Sequence, residues 1–73
     1  MQRLTGIIVS EPTHDAGRIV FTLKSEKKKQ FKCVSAVDYE GSVPTCDDSV
    51  ILVGEQNESW ATTPTFVFRE LIQ

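Results

Sequence analysis

The chain has few of the residues that mark an enzyme, a metalloprotein or a domain held together by disulfides. It contains two cysteines and one histidine in 73 residues, and neither cysteine stands in a C-x-x-C spacing. Its four glycines are isolated from one another, so the sequence offers no glycine-rich loop to cradle a phosphate. No nucleophile stands beside a paired base. We therefore expect neither catalysis nor a bound cofactor or metal.

Long apolar runs are also missing. No stretch is long enough for a signal peptide or a membrane span, which predicts a cytoplasmic protein with Cys33 and Cys46 reduced. The length predicts a single domain, residues 1–73, and such a small domain buries only about 60% of its unfolded surface. Packing against another copy or a partner would add buried surface. His14 is expected to be an exposed turn residue.

Basic residues are scarce overall, and the net charge is −2. The few that exist are concentrated: residues 24–32 hold five lysines and one glutamate, a charge of +4. Residues 33–68 hold six carboxylates and no lysine or arginine, a charge of −6. This separation predicts an electric dipole with a basic tip and an acidic flank.

Short runs of β-branched and aromatic residues, separated by turn residues, predict an all-β fold. The clearest run places Ile19, Phe21 and Leu23 on one face of a strand. Residues 25–29 are predicted to form a hairpin tip, and residues 38–48 are too short and too rich in helix breakers for a stable helix. The predicted strands span residues 4–10, 18–24, 30–37, 49–54 and 64–72.

Five strands in so short a chain must cover their edges, and closure into a small barrel does this most economically. The third predicted strand begins its inward set with Phe31 and Cys33, although apolar residues on both of its faces leave room for a bulge. A six-stranded or SH3-like barrel is the main structural alternative. Periodicity alone does not separate these barrels.

The order of these features resembles the OB-fold, and within it the single-stranded-DNA-binding and primosomal-protein type. The resemblance implies a five-stranded barrel and a groove for single strands bordered by the hairpin of residues 25–29. The helix that usually joins the third and fourth strands is expected to be reduced or absent in this chain, which is a departure from the OB pattern. The second strand departs from the pattern, because its ligand face carries Val20 and Thr22 instead of stacking aromatics. The resembling segments are Leu4-x-Gly6-x-Ile8, Ile19-x-Phe21-x-Leu23, residues 31–34, Asp48-x-Val50-x-Leu52-x-Gly54 and residues 66–71.

The first functional hypothesis is binding of single-stranded nucleic acid, DNA in first place, with RNA left open. Clustered lysines at the groove would neutralise phosphates and make the affinity fall steeply with salt. The alternative for the same cluster is a turn that its charge keeps solvated. The expected contacts are Arg18, Lys24, Lys27, Lys28, Lys29 and Lys32 for phosphates, with Tyr39 or Trp60 stacking on bases.

The second hypothesis is a protein-interaction module, or an accessory subunit of a replication, transfer or phage complex. The acidic stretch that carries Tyr39 and Trp60 would suit docking onto a basic protein surface or onto the basic hairpin of another copy, giving a homo-oligomer. Trp60 could instead plug one end of the barrel or anchor a protein contact. The competing interpretation of the acidic stretch is an ordinary solubilising surface.

Overall fold

The computed structural model describes residues 2–57 and 64–73, and within these residues the secondary structure consists of strands and turns. The all-β prediction is confirmed. The strands are β1 (Gln2–Ile8), β2 (Thr13–Asp15), β3 (Arg18–Ser25), β4 (Gln30–Ser35), β5 (Ser49–Asn57) and β6 (Thr65–Ile72).

Five of these strands close into a barrel. Strand β1 pairs antiparallel with both β3 and β5, while β3 pairs antiparallel with β4 and β5 with β6. A parallel pairing of β4 with β6 completes the ring. The short β2 pairs with β3 and takes no part in the closure. This is a small OB-type barrel with one extra strand, which confirms the predicted fold class.

The interior of the barrel is filled by the alternate, inward residues of the strands. The prediction that Ile19, Phe21 and Leu23 share a buried face is confirmed, and so is the inward position of Phe31 and Cys33. Phenylalanine rings dominate the packing, with the Phe21 and Phe68 ring centroids 5.4 Å apart. The buried core cluster consists of Ile8, Ile19, Phe21, Leu23, Phe31, Cys33, Val50, Leu52, Phe66 and Phe68.

The turn expected around His14 is instead a short strand. His14 is exposed and lies in β2, opposite Ile19 of β3. The turn follows at Ala16 and Gly17, whose φ angles are 52° and 78°. Two successive residues with positive φ match the right-handed twist of a two-residue hairpin, so the backbone of residues 13–15 can fold back and pair with β3.

Strand ends differ from the predicted ones by a few residues. Strand β1 ends at Ile8, but the chain continues along β3, because Val9 N donates to Thr22 O at 2.9 Å and Thr22 N donates to Ser10 Oγ at 2.8 Å. Strand β4 ends at Ser35, which leaves Val37 76% exposed. Strand β5 continues through residues predicted as loop, since its pairing with β6 extends to Asn57.

Residues 36–48 connect β4 to β5 without a helix, as predicted. The connection is pinned to the end of β1, where Asp47 N donates to Ile8 O at 2.7 Å and Ile8 N donates to Asp48 O at 3.0 Å. The Asp48 carboxylate accepts bonds from Thr45 N at 3.0 Å and Thr45 Oγ1 at 2.8 Å. These two hydrogen bonds hold the pKa of the Asp48 carboxylate below its usual range, and the bond from the backbone N–H has the larger effect.

Candidate functional site

The outer surface of β3 carries two of the predicted cationic residues. Because side chains alternate along a strand, Arg18 and Lys24 point outward with Val20 and Thr22, while Ile19, Phe21 and Leu23 point into the core. Arg18 is half-buried and Lys24 is exposed. They lie at the two ends of this face, roughly 20 Å apart along the strand.

Strand β4 adds the third cation to the same face. Lys32 is exposed and is the register partner of Thr22, so it projects beside the middle of β3. Val34 is the partner of Val20 in the next outward row. The face is therefore basic from the hairpin as far as Lys32 and aliphatic at Val20 and Val34.

The three remaining lysines occupy the tip that joins β3 to β4, where the hairpin was predicted. Ser25 organises this tip: its N–H donates to Lys29 O at 2.9 Å, its carbonyl accepts from Lys28 N at 2.9 Å, and its Oγ accepts from Lys29 N at 3.3 Å. Lys28 takes a positive φ of 62° to complete the turn. Lys27, Lys28 and Lys29 are all exposed as a result.

The lysines of the hairpin have no carboxylate partner in the described part of the chain. Within residues 2–57 and 64–73 the single ion pair joins Arg69 to Asp38 at 3.8 Å, and both of those side chains are largely exposed. Lys29 makes a cation–π contact, with its Nζ 5.5 Å from the centroid of the Phe31 ring. The charge of Lys24, Lys27, Lys28, Lys29 and Lys32 is therefore directed at solvent and can be neutralised by an anionic ligand.

The structure extends this face onto β6, which sequence reasoning missed. The parallel pairing of β4 with β6 places Thr65 beside Lys32 and Val67 beside Val34. Thr65 and Val67 alternate with Phe66 and Phe68 in the sequence, but this alternation carries no signal for which strand lies beside them. Strand β6 lies beside β4 because the pairing of these two strands closes the barrel.

A shallow groove of about 390 Å³ lies beneath the hairpin tip. The half-buried Leu4 of β1 and the largely buried Phe31 of β4 contribute its apolar surface. Its charged lining consists of three cations and one carboxylate: Arg3, Lys27, Lys29 and Glu26. Sequence reasoning did not connect Arg3 with the hairpin, because the β1–β3 pairing brings the two together.

Tyr39 lies beyond the end of β4 that is remote from the hairpin. Its ring packs edge-on against Phe68 at a centroid distance of 5.1 Å, and its hydroxyl donates to Ser42 O at 2.6 Å. Burial raises the pKa of the Tyr39 hydroxyl. The structure thus places Tyr39 apart from the lysines, and its role as a stacking residue stays a prediction.

Tyr39 helps to line a second concavity, of about 460 Å³, beside β6. The charged side chains around this concavity are Asp38, Glu40, Arg69 and Glu70. Arg69 is already paired with Asp38, so the concavity is acidic overall. It forms part of the acidic flank expected from the charge pattern. Trp60, the other aromatic residue predicted to make contacts, lies outside the described residues.

The two cysteines are free thiols in different settings. Cys33 is fully buried, and desolvation raises the pKa of its thiol to about 12. Cys46 is half-buried, with its Sγ 3.9 Å from Ile8 O. In the described part of the chain no three His, Cys, Asp or Glu side chains converge to hold a metal ion. The same residues contain no helix of the length and hydropathy needed to cross a membrane.

Comparison of the chain with protein-family models, with curated proteins and with solved structures finds no match in any of the three. The class of the protein is therefore defined by its architecture, an OB-type barrel that presents a basic hairpin. OB-type barrels carry many unrelated functions, so the function of this one depends on its surface residues.

Proposed function

We propose that this domain binds single-stranded nucleic acid, DNA in first place, along the outer face of β3 and β4, in the manner of single-stranded-DNA-binding and primosomal OB proteins. The observation that carries the proposal is the cluster of five exposed lysines on the β3–β4 hairpin, none with a carboxylate partner among the described residues. OB barrels that bind oligonucleotides use this face of the fold.

The charged and the apolar residues occupy different parts of this face, so they contact different parts of the ligand. Lys24, Lys32 and the lysines of the tip contact phosphates, since an ammonium group neutralises a phosphate without reading sequence. The bases lie over the aliphatic row formed by Val20, Val34 and Val67, which are register partners across β3, β4 and β6. This row holds no aromatic ring, so binding relies on charge more than on stacking.

Two consequences follow for the kind of ligand. A strand held by phosphate contacts and aliphatic surface is bound with low sequence specificity and with a strong dependence on salt. A single strand can place its bases against the valine row, whereas a duplex keeps its bases stacked inside. We therefore expect single strands to bind more tightly than duplexes of the same length.

Fluorescence anisotropy with a labelled oligothymidylate at low salt tests the proposal. Lys32→Ala, in the middle of the face, is expected to weaken binding about two- to fivefold, the equivalent of one exposed ion pair. Arg69→Ala is the matched control, because Arg69 is paired with Asp38 beside the acidic concavity and should leave the affinity unchanged. Equal affinity for the duplex, or equal losses in both variants, would contradict the proposed face.

The second candidate function is a protein-interaction module within a replication, transfer or phage complex. It is favoured by the acidic concavity next to β6, bordered by Asp38, Glu40 and Glu70, with Val37 nearby in sequence and 76% exposed. A lysine-rich peptide titrated into the labelled protein should shift the amide NMR signals of residues 38–41 and 70. Shifts confined to other residues would count against this function.

A further inference from the structure

The outer face of β1, β5 and β6 carries an apolar patch that the barrel does not use. The register aligns Thr5, Ile51 and Ile72 in one row across the three strands. The adjacent outward row on one side of it contains Ile7 and Ser49. The adjacent outward row on the other side contains Val53. Ile7 and Ile72 are each 48% exposed, and Ile51 and Val53 are half-buried.

These side chains do not contribute to the core of the barrel. The inward residues of the same strands, Leu4, Leu52 and Leu71, form their own row on the opposite side of the sheet and pack in or against the core. An outward row of β-branched aliphatics on a continuous sheet is the kind of surface that sheets bury against another sheet.

The charges at the border of the patch indicate what covers it. Arg3 and Glu70 flank Val53 on its two sides, at about 10 Å from each other, the width of two strand spacings. Neither forms an ion pair within residues 2–57 and 64–73. A cation on one side of an apolar centre and a carboxylate on the other is self-complementary under a two-fold rotation, as an isologous interface requires.

We infer that this face binds a second copy of the chain, with the two-fold axis running along β5. Rotation about that axis brings Ile51 against Ile51 of the second copy and Val53 against its counterpart. The same rotation places Arg3 of each copy opposite Glu70 of the other, which gives two symmetric ion pairs around the apolar centre. Two sheets packed in this way lie about 10 Å apart.

The dimer leaves the lysine face free. In the ring of strands β5 has β1 and β6 as neighbours, so β3 and β4 lie across the barrel from it. The outer face of β3 and β4 therefore stays accessible in the dimer. The patch offers four aliphatic side chains and two ion pairs to each partner, so we expect a weak dimer that dissociates at micromolar concentrations.

Sedimentation velocity of the full chain, from about 5 to about 500 µM, covers the range in which such an interface dissociates. We expect the sedimentation coefficient to rise from that of a monomer to that of a dimer. Ile51→Lys should abolish the rise, and Val20→Lys, at a half-buried outward position of β3 across the barrel from β5, is the matched control that should retain it. Circular dichroism of each variant checks that the barrel is folded.

A charge exchange tests the two-fold arrangement independently of the apolar residues. Arg3→Glu alone and Glu70→Arg alone each place like charges opposite one another and should weaken the dimer at least about tenfold. The double variant restores opposite charges and should recover most of that loss. A monomer at every concentration, a species larger than a dimer, or a dimer indifferent to Ile51→Lys and to the exchange would overturn the inference.

Discussion

Gly54 of β5 lies opposite Phe68 of β6 where the register between the two strands shifts, and a Cβ built on Gly54 would stand 2.7 Å from the Phe68 Cα. The shift leaves Arg69 without a partner on β5, because Val53 pairs with Glu70 and Gly54 with Phe68. The two backbones approach so closely that there is no space for a side chain. At this contact the fully buried Phe68 packs against both Phe21 and Tyr39.

Gly54→Ala should destabilise the barrel by at least about 3 kcal/mol, because the new methyl group collides with backbone atoms of β6 that cannot move without breaking the ladder. Urea unfolding followed by circular dichroism measures this loss. Gly17→Ala is the matched control: its φ is 78° with no atom within 4 Å, so it should lose only about 1 kcal/mol. Similar losses in both variants would contradict the close approach.

Ala16→Asn should stabilise the protein by about 0.5–1 kcal/mol, because alanine at a φ of 52° is strained and asparagine tolerates the left-handed region. For a domain of this size that gain corresponds to a rise in Tm of roughly 2–8 °C. Thermal unfolding measures it. Ala36→Asn, at a buried position, is the contrasting variant and should lower Tm. An unchanged or lower Tm for Ala16→Asn would show that the turn is not strained.

The free energy of unfolding should decrease at alkaline pH because of the buried thiol of Cys33. Its thiol pKa is about 12 in the folded barrel against 9.0 for an exposed thiol, so the unfolded chain loses its proton first. The contribution of Cys33 is fully present below pH 9 and is lost as the pH rises from 9 toward 12. Between pH 9 and 10 the free energy of unfolding should fall with a slope of up to about 1.4 kcal/mol per pH unit.

Cys33→Ala removes this titration and should make the alkaline slope much shallower, leaving the smaller contribution of Tyr39, although the cavity lowers stability at every pH. Cys46→Ala keeps the buried thiol and should keep the slope. Urea midpoints measured at several pH values distinguish the variants. An identical slope in the wild type and in Cys33→Ala would show that the buried thiol does not control alkaline stability.

The sequence predicted the parts of the fold that depend on alternation. Ile19, Phe21 and Leu23 could be assigned to a buried face because a strand repeats every two residues. It did not predict β2, because the three residues of this strand are all exposed and are held by backbone pairing with β3. Nor did it predict that β5 runs to Asn57, since a polar segment pairs as well as an apolar one when a partner strand lies beside it.

The sequence identified the lysines of the candidate site, but not the residues of other strands that lie beside them. The five lysines of the hairpin lie within residues 24–32, so their common location followed from the turn alone. The positions of Thr65 and Val67 beside β4, and of Arg3 beneath the hairpin tip, arise from pairings between strands distant in the chain. Such contacts have no periodic signal in one sequence, and closure of the barrel decides them.

The salt dependence of single-strand binding tests the proposed function most directly. Anisotropy with labelled oligothymidylate should give a Kd that rises with salt, with the slope of log affinity against log salt about −0.7 for each phosphate neutralised. Replacing Lys27, Lys28 and Lys29 together with alanine should reduce that slope by about 2, whereas replacing all three with arginine should preserve it. Absence of binding at low salt, a flat dependence, or an unchanged slope in the alanine variant would contradict the account.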